Sequence, residues 1–449
     1  MIKKIYLSCI SCIILVIGIS LTGSSYNEGP EEENVKEIAI QTVEFLSTGE
    51  FNHAYDFFNE TVTDQITLQQ LEDIWDALLA QYGEFDEVMS TRIDKEGGYD
   101  VVYVTCNFTT KGFLDIKMVF DGEKNISGFH FVPTEIEYEY ETPEYADPDV
   151  FEEVNVTVGT GEWELPGTLT IPKGEGPFPA VVLVHGSGPN DRDESIGPNK
   201  PFKDLAGGLA SKGTAVLRYE KRTKEYPELS AALTNFTVQD EVIDDAIGAI
   251  DVLNATGRID QERMFVLGHS LGGMIGPLIA EQDDRLAGLI ILAGPTRGLE
   301  DLFLEQTAYM ANLDGEIEEN EAIQIAYIQE QVEKVKELNI SEGELVLGVP
   351  KTYWQYLADY NPVETAKNLS NPLLILQGGR DYQVTLDGDF SAWNETFYGD
   401  DNVTLKTYEM LNHLFISGSG PPTGAEYLVM GHIEEEVIED ITQWIVNQQ

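Results

Sequence analysis

The 449-residue sequence predicts two successive folds. Residues 31–133 read as a small α+β unit, and residues 151–449 as an α/β unit whose mostly parallel sheet carries helices on both faces. Three observations carry this expectation. After about Phe151, apolar runs of strand length alternate with helical patterns. One long helical insert interrupts that alternation, and a serine bounded by glycines, Gly268-His269-Ser270-Leu271-Gly272, sits where an apolar run gives way to a helix.

The first residues are a case of their own. Lys3 and Lys4 precede an apolar run from Ile5 to Leu21, so residues 1–24 fit a cleaved export signal or a retained membrane anchor. Cys9 and Cys12 lie in that run and leave Cys106 alone, which excludes an intradomain disulfide in the mature chain. Asparagine adds a second mark of export. N-x-S/T triplets begin at Asn59, Asn107, Asn125, Asn155, Asn235, Asn254, Asn339, Asn368, Asn394 and Asn402, where chance would place roughly two or three.

In the first unit the apolar spacing predicts helices over Val35–Ser47, Phe51–Phe58 and Leu68–Gln81, and strands over Tyr99–Thr110 and Phe113–Phe120. Its only histidines are His53 and His130, and no catalytic grouping is visible there. Residues 134–150 read as an acidic linker: Pro143 and Pro148 break any element, and residues 134–153 hold nine acidic residues and no basic one.

The second unit has apolar runs that fit buried strands at Ala180–Val184, Ala215–Arg218, Met264–Leu267, Leu286–Leu292 and Leu373–Leu376. Helical patterns over Phe202–Lys212, Asp240–Leu253, Gly273–Glu281 and Glu426–Val446 fall between and after them. The stretch 296–360 is helical, acidic and longer than a crossover requires. Placed above the C-terminal ends of the strands, it reads as a cap over the crevice where open α/β sheets bind ligands. Tyr353, Trp354, Tyr356 and Tyr360 within it either shape an acyl pocket or pack the cap.

Charge narrows the partners. With 79 acidic against 27 basic residues the formal net charge is -52, which repels nucleic acid and anionic lipid. Self-repulsion at that density is relieved by salt, so the sequence suggests adaptation to high ionic strength.

A G-x-S-x-G pattern alone is weak, expected by chance about 0.15 times in such a chain. Its context supplies what the chemistry needs. A nucleophilic Ser270 requires a base, and His413 follows the strand-like run Val403–Tyr408 in a loop. The base requires a carboxylate, and Asp381 directly follows the buried run Leu373–Leu376. Arg380 offers Asp381 an alternative life as half of a surface ion pair, and Asp387 and Asp389 are the fallback acids. Attack on a carbonyl creates an oxyanion that needs amide donors. The Leu271 amide, at the start of the helix after the nucleophile, is one; the second is expected in His185-Gly186-Ser187-Gly188-Pro189, from Ser187 N–H, with Gly186 or Gly188 as alternatives.

These residues resemble the α/β-hydrolase superfamily. The run from His185 through Asp191-Arg192-Asp193-Glu194 to Asp204-Leu205, and Val216-Leu217-Arg218-Tyr219 with Lys221-Arg222-Thr223, look like its EstD-type carboxylesterase branch over about residues 150–449. The resemblance implies an α/β-hydrolase fold and hydrolysis of short-chain carboxylic esters, a small-molecule substrate, without metal or organic cofactor. Serine at the elbow separates the chain from dienelactone hydrolases, which carry cysteine there, and from haloalkane dehalogenases, which carry aspartate. Gly49-Glu50-Phe51-Asn52, Ala54 and Gly83 are similar to the DUF3887 module that accompanies such hydrolases. A peptidase or acyltransferase on the same triad is the alternative, and a non-catalytic surface-binding protein the third reading.

Overall fold

The structure, a computed structural model, describes residues 30–448 apart from 97, 110, 111 and 135–138. The proposed signal or anchor over residues 1–24, with Cys9 and Cys12, lies outside the described residues. Among those described, no helix is long and apolar enough to cross a membrane. The chain divides into two compact units, 1–137 and 138–449.

In the first unit four helices, α1 (Pro30–Ser47), α2 (Phe51–Tyr55), α3 (Glu60–Thr63) and α4 (Leu68–Tyr82), precede an antiparallel sheet. Its strands are β1 (Phe85–Glu96), β2 (Tyr99–Phe108), β3 (Gly112–Phe120) and β4 (Ile126–Pro133), in sequential order. Asn59 caps α3, and Thr67 with Gln70 forms a capping box on α4. Val35, Ala39 and Val43 of α1 and Leu71 and Trp75 of α4 meet Val102, Val104 and Cys106 of β2 in one core. Burial pushes the Cys106 thiol up to about 12, so it packs as an unreactive apolar group. Two strands of this unit, β1 and β4, are absent from the sequence reading. Register shifts at Phe85/Glu87 and Val88/Ser90 in β1, and at Val119/Phe120 beside β4, break the alternation that would have announced them.

The second unit runs β5 (Phe151–Val158), β6 (Leu165–Pro172), β7 (Phe178–Val184), α5 (Pro201–Ser211), β8 (Ala215–Tyr219), α6 (Arg222–Glu225), α7 (Pro227–Ala232), α8 (Asp244–Ala255), β9 (Ile259–His269), α9 (Leu271–Gln282) and β10 (Leu286–Leu292). The insert follows as α10 (Leu299–Ala311), α11 (Glu319–Lys336), a short hairpin of β11 (Leu345–Val346) and β12 (Val349–Pro350), α12 (Lys351–Leu357) and α13 (Pro362–Lys367). The chain closes with β13 (Leu373–Gly378), α14 (Ser391–Phe397), β14 (Val403–Tyr408) and α15 (Glu435–Asn447).

Eight strands form one sheet in the order β14-β13-β10-β9-β7-β8-β6-β5. It is parallel from β14 to β8 and antiparallel at β6 and β5. Alternation along β7 shows why both faces are covered: Val182 and Val184 pack with Val242, Ile250 and Ile275, while Val181 and Leu183 pack with Phe202, Leu205 and Ile441. From β7 the chain goes to β8 on one side and later to β9 on the other, so the C-terminal ends of β7 and β9 flank a switch point, where such sheets open a crevice.

The expected terminal helix over Glu426–Val446 is instead a short turn at Gly424–Leu428, an irregular segment, and α15. Side chains from elsewhere take the backbone groups that a helix would have used. Asn199 donates to the Tyr427 carbonyl and accepts from Gly431 N–H, both at 2.8 Å, and Asp204 accepts Ile433 N–H at 3.0 Å. His432 therefore lies before the helix, with Nδ1 3.1 Å from Asp204. The same aspartate accepts the Tyr140 hydroxyl at 2.8 Å, and Tyr145 donates to the Ile433 carbonyl, so residues 139–150 pack on this unit.

Candidate active site

Ser270 links β9 to α9 with φ 52° and ψ −117°, a backbone that side-chain-bearing residues rarely adopt. The flanking glycines make the turn possible. A Cβ on Gly268 would stand 2.1 Å from the Gly272 carbonyl oxygen, and one on Gly272 would stand 2.2 Å from the Val184 carbonyl oxygen. Ser270 N–H donates to the Leu292 carbonyl at 2.9 Å, which ties the turn to the end of β10. Because Leu271 is the first residue of α9, its amide has no acceptor within the helix.

The loop after β7 lies against this turn. A Cβ on Gly186 would come 3.1 Å from the Ser270 Cβ, so a larger residue there would press on the serine. Gly186 N–H is already committed to Glu194 Oε1 at 2.6 Å. Among the described residues the Ser187 amide has no acceptor, and its orientation is held by Asn190, whose Nδ2 donates to the Gly186 and Ser187 carbonyls, each at 3.1 Å.

Asp381 and His413 come from the loops after β13 and β14. Those loops are stitched by Gly379 N–H to Tyr408 O at 2.7 Å and Arg380 N–H to Leu411 O at 2.9 Å. His413 Nδ1 donates to Asp381 Oδ2 at 2.7 Å, and both residues are buried. The carboxylate also accepts Gln383 N–H at 2.8 Å, Val384 N–H at 3.0 Å and Gln377 Nε2 at 2.9 Å. With the proton on Nδ1, Nε2 carries the lone pair that a general base uses. Arg380 turns the other way and pairs with Glu426, so Asp381 is not half of a surface ion pair. Of the fallback acids, Asp387 is exposed, while buried Asp389 is held by Arg297 at 2.7 Å and Thr296 N–H at 3.0 Å.

Ser270 Oγ makes no hydrogen bond to His413 among the described residues, a looseness common before substrate binds. The serine turn reaches the His413 loop through His269 instead, whose Nε2 is 3.0 Å from the His413 carbonyl oxygen. On its other side His269 Nδ1 lies 2.9 Å from Glu194 Oε2, off the direction of a good hydrogen bond and therefore an ion-pair contact. Burial by itself would discharge both groups. Their mutual attraction prevails, helped by the His413 carbonyl and the Gly186 N–H, so His269 is held above its ordinary value and Glu194 below its own. His185, by contrast, is pushed by burial down to about 4 and sits neutral against the Asp191 carbonyl at 3.0 Å. Sequence reasoning missed the His269–Glu194 pair. The sole local signal was a histidine inside the serine pentapeptide and an acid in the loop run, 75 residues away by their numbers.

The insert covers this end of the sheet, and its aromatic residues anchor rather than line. Trp354 Nε1 donates to the Val346 carbonyl at 3.0 Å, Tyr356 to Gln239 at 2.8 Å and Tyr360 to the Met274 carbonyl at 2.6 Å. Tyr309 of α10 stacks on Tyr382, next to Asp381, with ring centroids 5.2 Å apart.

Fold and geometry together define a serine hydrolase of the α/β-hydrolase class. Residues 177–417 match the family described as "Serine aminopeptidase, S33", and the chain belongs to that family. Residues 39–129 match a protein of unknown function, DUF3887. The chain is 41% identical over 411 residues to Esterase EstD of Thermotoga maritima, covering 91% of this chain and 94% of that protein. Among solved structures it is similar to Est1E from Butyrivibrio proteoclasticus, at 16% identity over 66% of this chain and 98% of that one, with a TM-score of 0.42. It is also similar to the acylaminoacyl peptidase of Pyrococcus horikoshii, at 19% identity over 74% of this chain and 47% of that one, with a TM-score of 0.41.

Proposed function

We propose that the protein is an exported carboxylesterase that cleaves short-chain carboxylic esters through an acyl-enzyme. Ser270 attacks the acyl carbonyl, His413 Nε2 takes its proton and returns it to the leaving alcohol, and Asp381 orients His413. The Ser187 and Leu271 amides receive the oxyanion. Water activated by His413 then releases the acid. The observation that carries the reading is the buried 2.7 Å contact of His413 with Asp381 beside a serine on a strained turn. Its likeness to Esterase EstD favours an ester over an amide bond.

Support for export comes from the basic and apolar start of the chain and from the ten N-x-S/T triplets. None of those asparagines is buried. Mass spectrometry of the protein from its native host tests this part, since an intact N-terminus in a cytoplasmic fraction with all ten asparagines unmodified removes it.

The activity test is turnover of p-nitrophenyl esters of graded acyl length by the protein and by Ser270→Ala. Loss of such a nucleophile lowers kcat by about 10⁶, and equal turnover by both proteins refutes the assignment. A serine peptidase is the second reading, favoured by the description of the family. Faster cleavage of aminoacyl amides than of esters would establish it instead.

A further inference from the structure

Lys221 is a buried lysine with no part in the mechanism above. Its Nζ donates to the Gly186 carbonyl oxygen at 2.7 Å and pairs with Glu241 Oε1 at 2.7 Å, and the two side chains are only 3% and 8% exposed. The Gly186 carbonyl and the Ser187 N–H are opposite ends of one rigid peptide plane. A cation fixed on the oxygen therefore sets the direction of the N–H. It also draws charge along the peptide, making the N–H a stronger donor in this low-dielectric setting.

The contact continues outward. Glu241 stands in a single wide turn, Gln239–Ile243, that precedes α8. Its Oε2 accepts the hydroxyl of Tyr353 at 2.7 Å, and Tyr353 is a buried residue of α12 in the cap. The neighbouring Thr352 hydroxyl donates to the Phe236 carbonyl at 2.9 Å, so α12 is rooted at this point. One chain of short polar contacts thus runs from cap to Tyr353, Glu241, Lys221 and the Gly186–Ser187 peptide.

We propose that Lys221 is a positioning residue for the Ser187 oxyanion donor, and that Glu241 and Tyr353 couple that donor to the seating of the cap. The proposal rests on the reading of the Ser187 amide as an oxyanion donor. A buried ion pair that merely filled space would bear on stability alone.

The test uses the full-length protein and a p-nitrophenyl ester. In the double variant Lys221→Met/Glu241→Gln both charges leave together, so no lone charge is buried and the Tyr353 hydroxyl keeps an acceptor. Losing a whole oxyanion donor costs about 10²–10³ in rate. A misoriented one is expected to lower kcat by about ten- to a hundredfold, with KM changed less than about threefold. Affinity for an alkyl boronic acid, which forms a tetrahedral adduct on Ser270, falls in parallel. Lys221→Arg, which keeps a cation within reach of the carbonyl, recovers part of the rate. Tyr353→Phe lowers kcat by a smaller factor, and this loss disappears in the background of the double variant. Tyr353→Phe deletes one oxygen and carries the same kcat and boronate comparison if the double variant does not fold. Wild-type kcat and boronate affinity in a folded variant overturn the proposal. Turnover surviving in Ser270→Ala defeats the functional reading itself, whatever Lys221 does.

Discussion

Replacing Glu194 by Gln removes the charge facing His269 while keeping an oxygen for the Gly186 N–H now bound at 2.6 Å. The loop after β7 keeps its hydrogen bond, so the variant isolates the ion pair. Glu194 and His269 have side chains 2% and 6% exposed, so the loss is not softened by solvent. Breaking a buried pair from one side costs about 3–5 kcal/mol. In Glu194→Gln the remedy is a neutral His269, with the Gln amide donating to Nδ1. The direction of the pH dependence follows from the two shifts. His269 is raised, so its contribution is complete below an unfolded value of about 6.5 and fades as pH rises through the folded value. Glu194 is lowered, so its contribution is complete above about 4.5 and fades as pH falls through its folded value. The pair is therefore worth most between about pH 4.5 and 6.5. Urea unfolding at constant ionic strength reads this well, because four of the five tryptophans, Trp163, Trp354, Trp393 and Trp444, lie in the unit 138–449. The difference between wild type and Glu194→Gln is expected to be about 3 kcal/mol or more at pH 5.5, and to shrink as pH rises through the folded value of His269, where the neutral ring keeps its proton on Nε2 toward the His413 carbonyl and only the variant's Gln amide can donate to Nδ1. A difference that is flat with pH, or below about 1 kcal/mol at pH 5.5, would show that the pair is not charged.

Asp381→Asn should keep the fold and lower kcat by about 10⁴, because the amide no longer fixes the His413 proton on Nδ1; a loss below tenfold on p-nitrophenyl esters rejects that role. Gly272→Ala forces a Cβ to 2.2 Å from the Val184 carbonyl. A destabilisation of about 3 kcal/mol or more is expected in the same urea assay, and a wild-type midpoint contradicts the geometry. The acidic surface should make the protein more stable as salt screens its formal charge of -52. A melting temperature that falls between dilute buffer and molar sodium chloride removes the idea of adaptation to salt.

Much of the second unit was legible because its strands are buried on both faces, and such strands write themselves as unbroken apolar runs such as Leu286–Leu292. The serine turn was legible for a related reason. Steric exclusion at Gly268 and Gly272 demands glycine in a fixed local spacing around Ser270. Edge strands left weaker marks: β5 is exposed along most of its length, and the bulges in β1 break its phase. Terminal helix periodicity misled at Glu426–Glu434, where Asn199 and Asp204, distant in sequence, supply partners that local propensity cannot foresee.

The residue types and their order along the chain, serine, then acid, then histidine, each after a strand-like run, were determined by the sequence alone, since a strand end is a local property. Which groups touch was decided by tertiary structure. Asp381 rather than Asp387 or Asp389 meets His413, Arg380 turns to Glu426, Glu194 reaches His269, and Lys221 takes the Gly186 carbonyl. Each of these contacts depends on how loops from different strands converge at one end of the sheet. Their energies come from burial and charge in that shared space, which no single segment of the chain encodes.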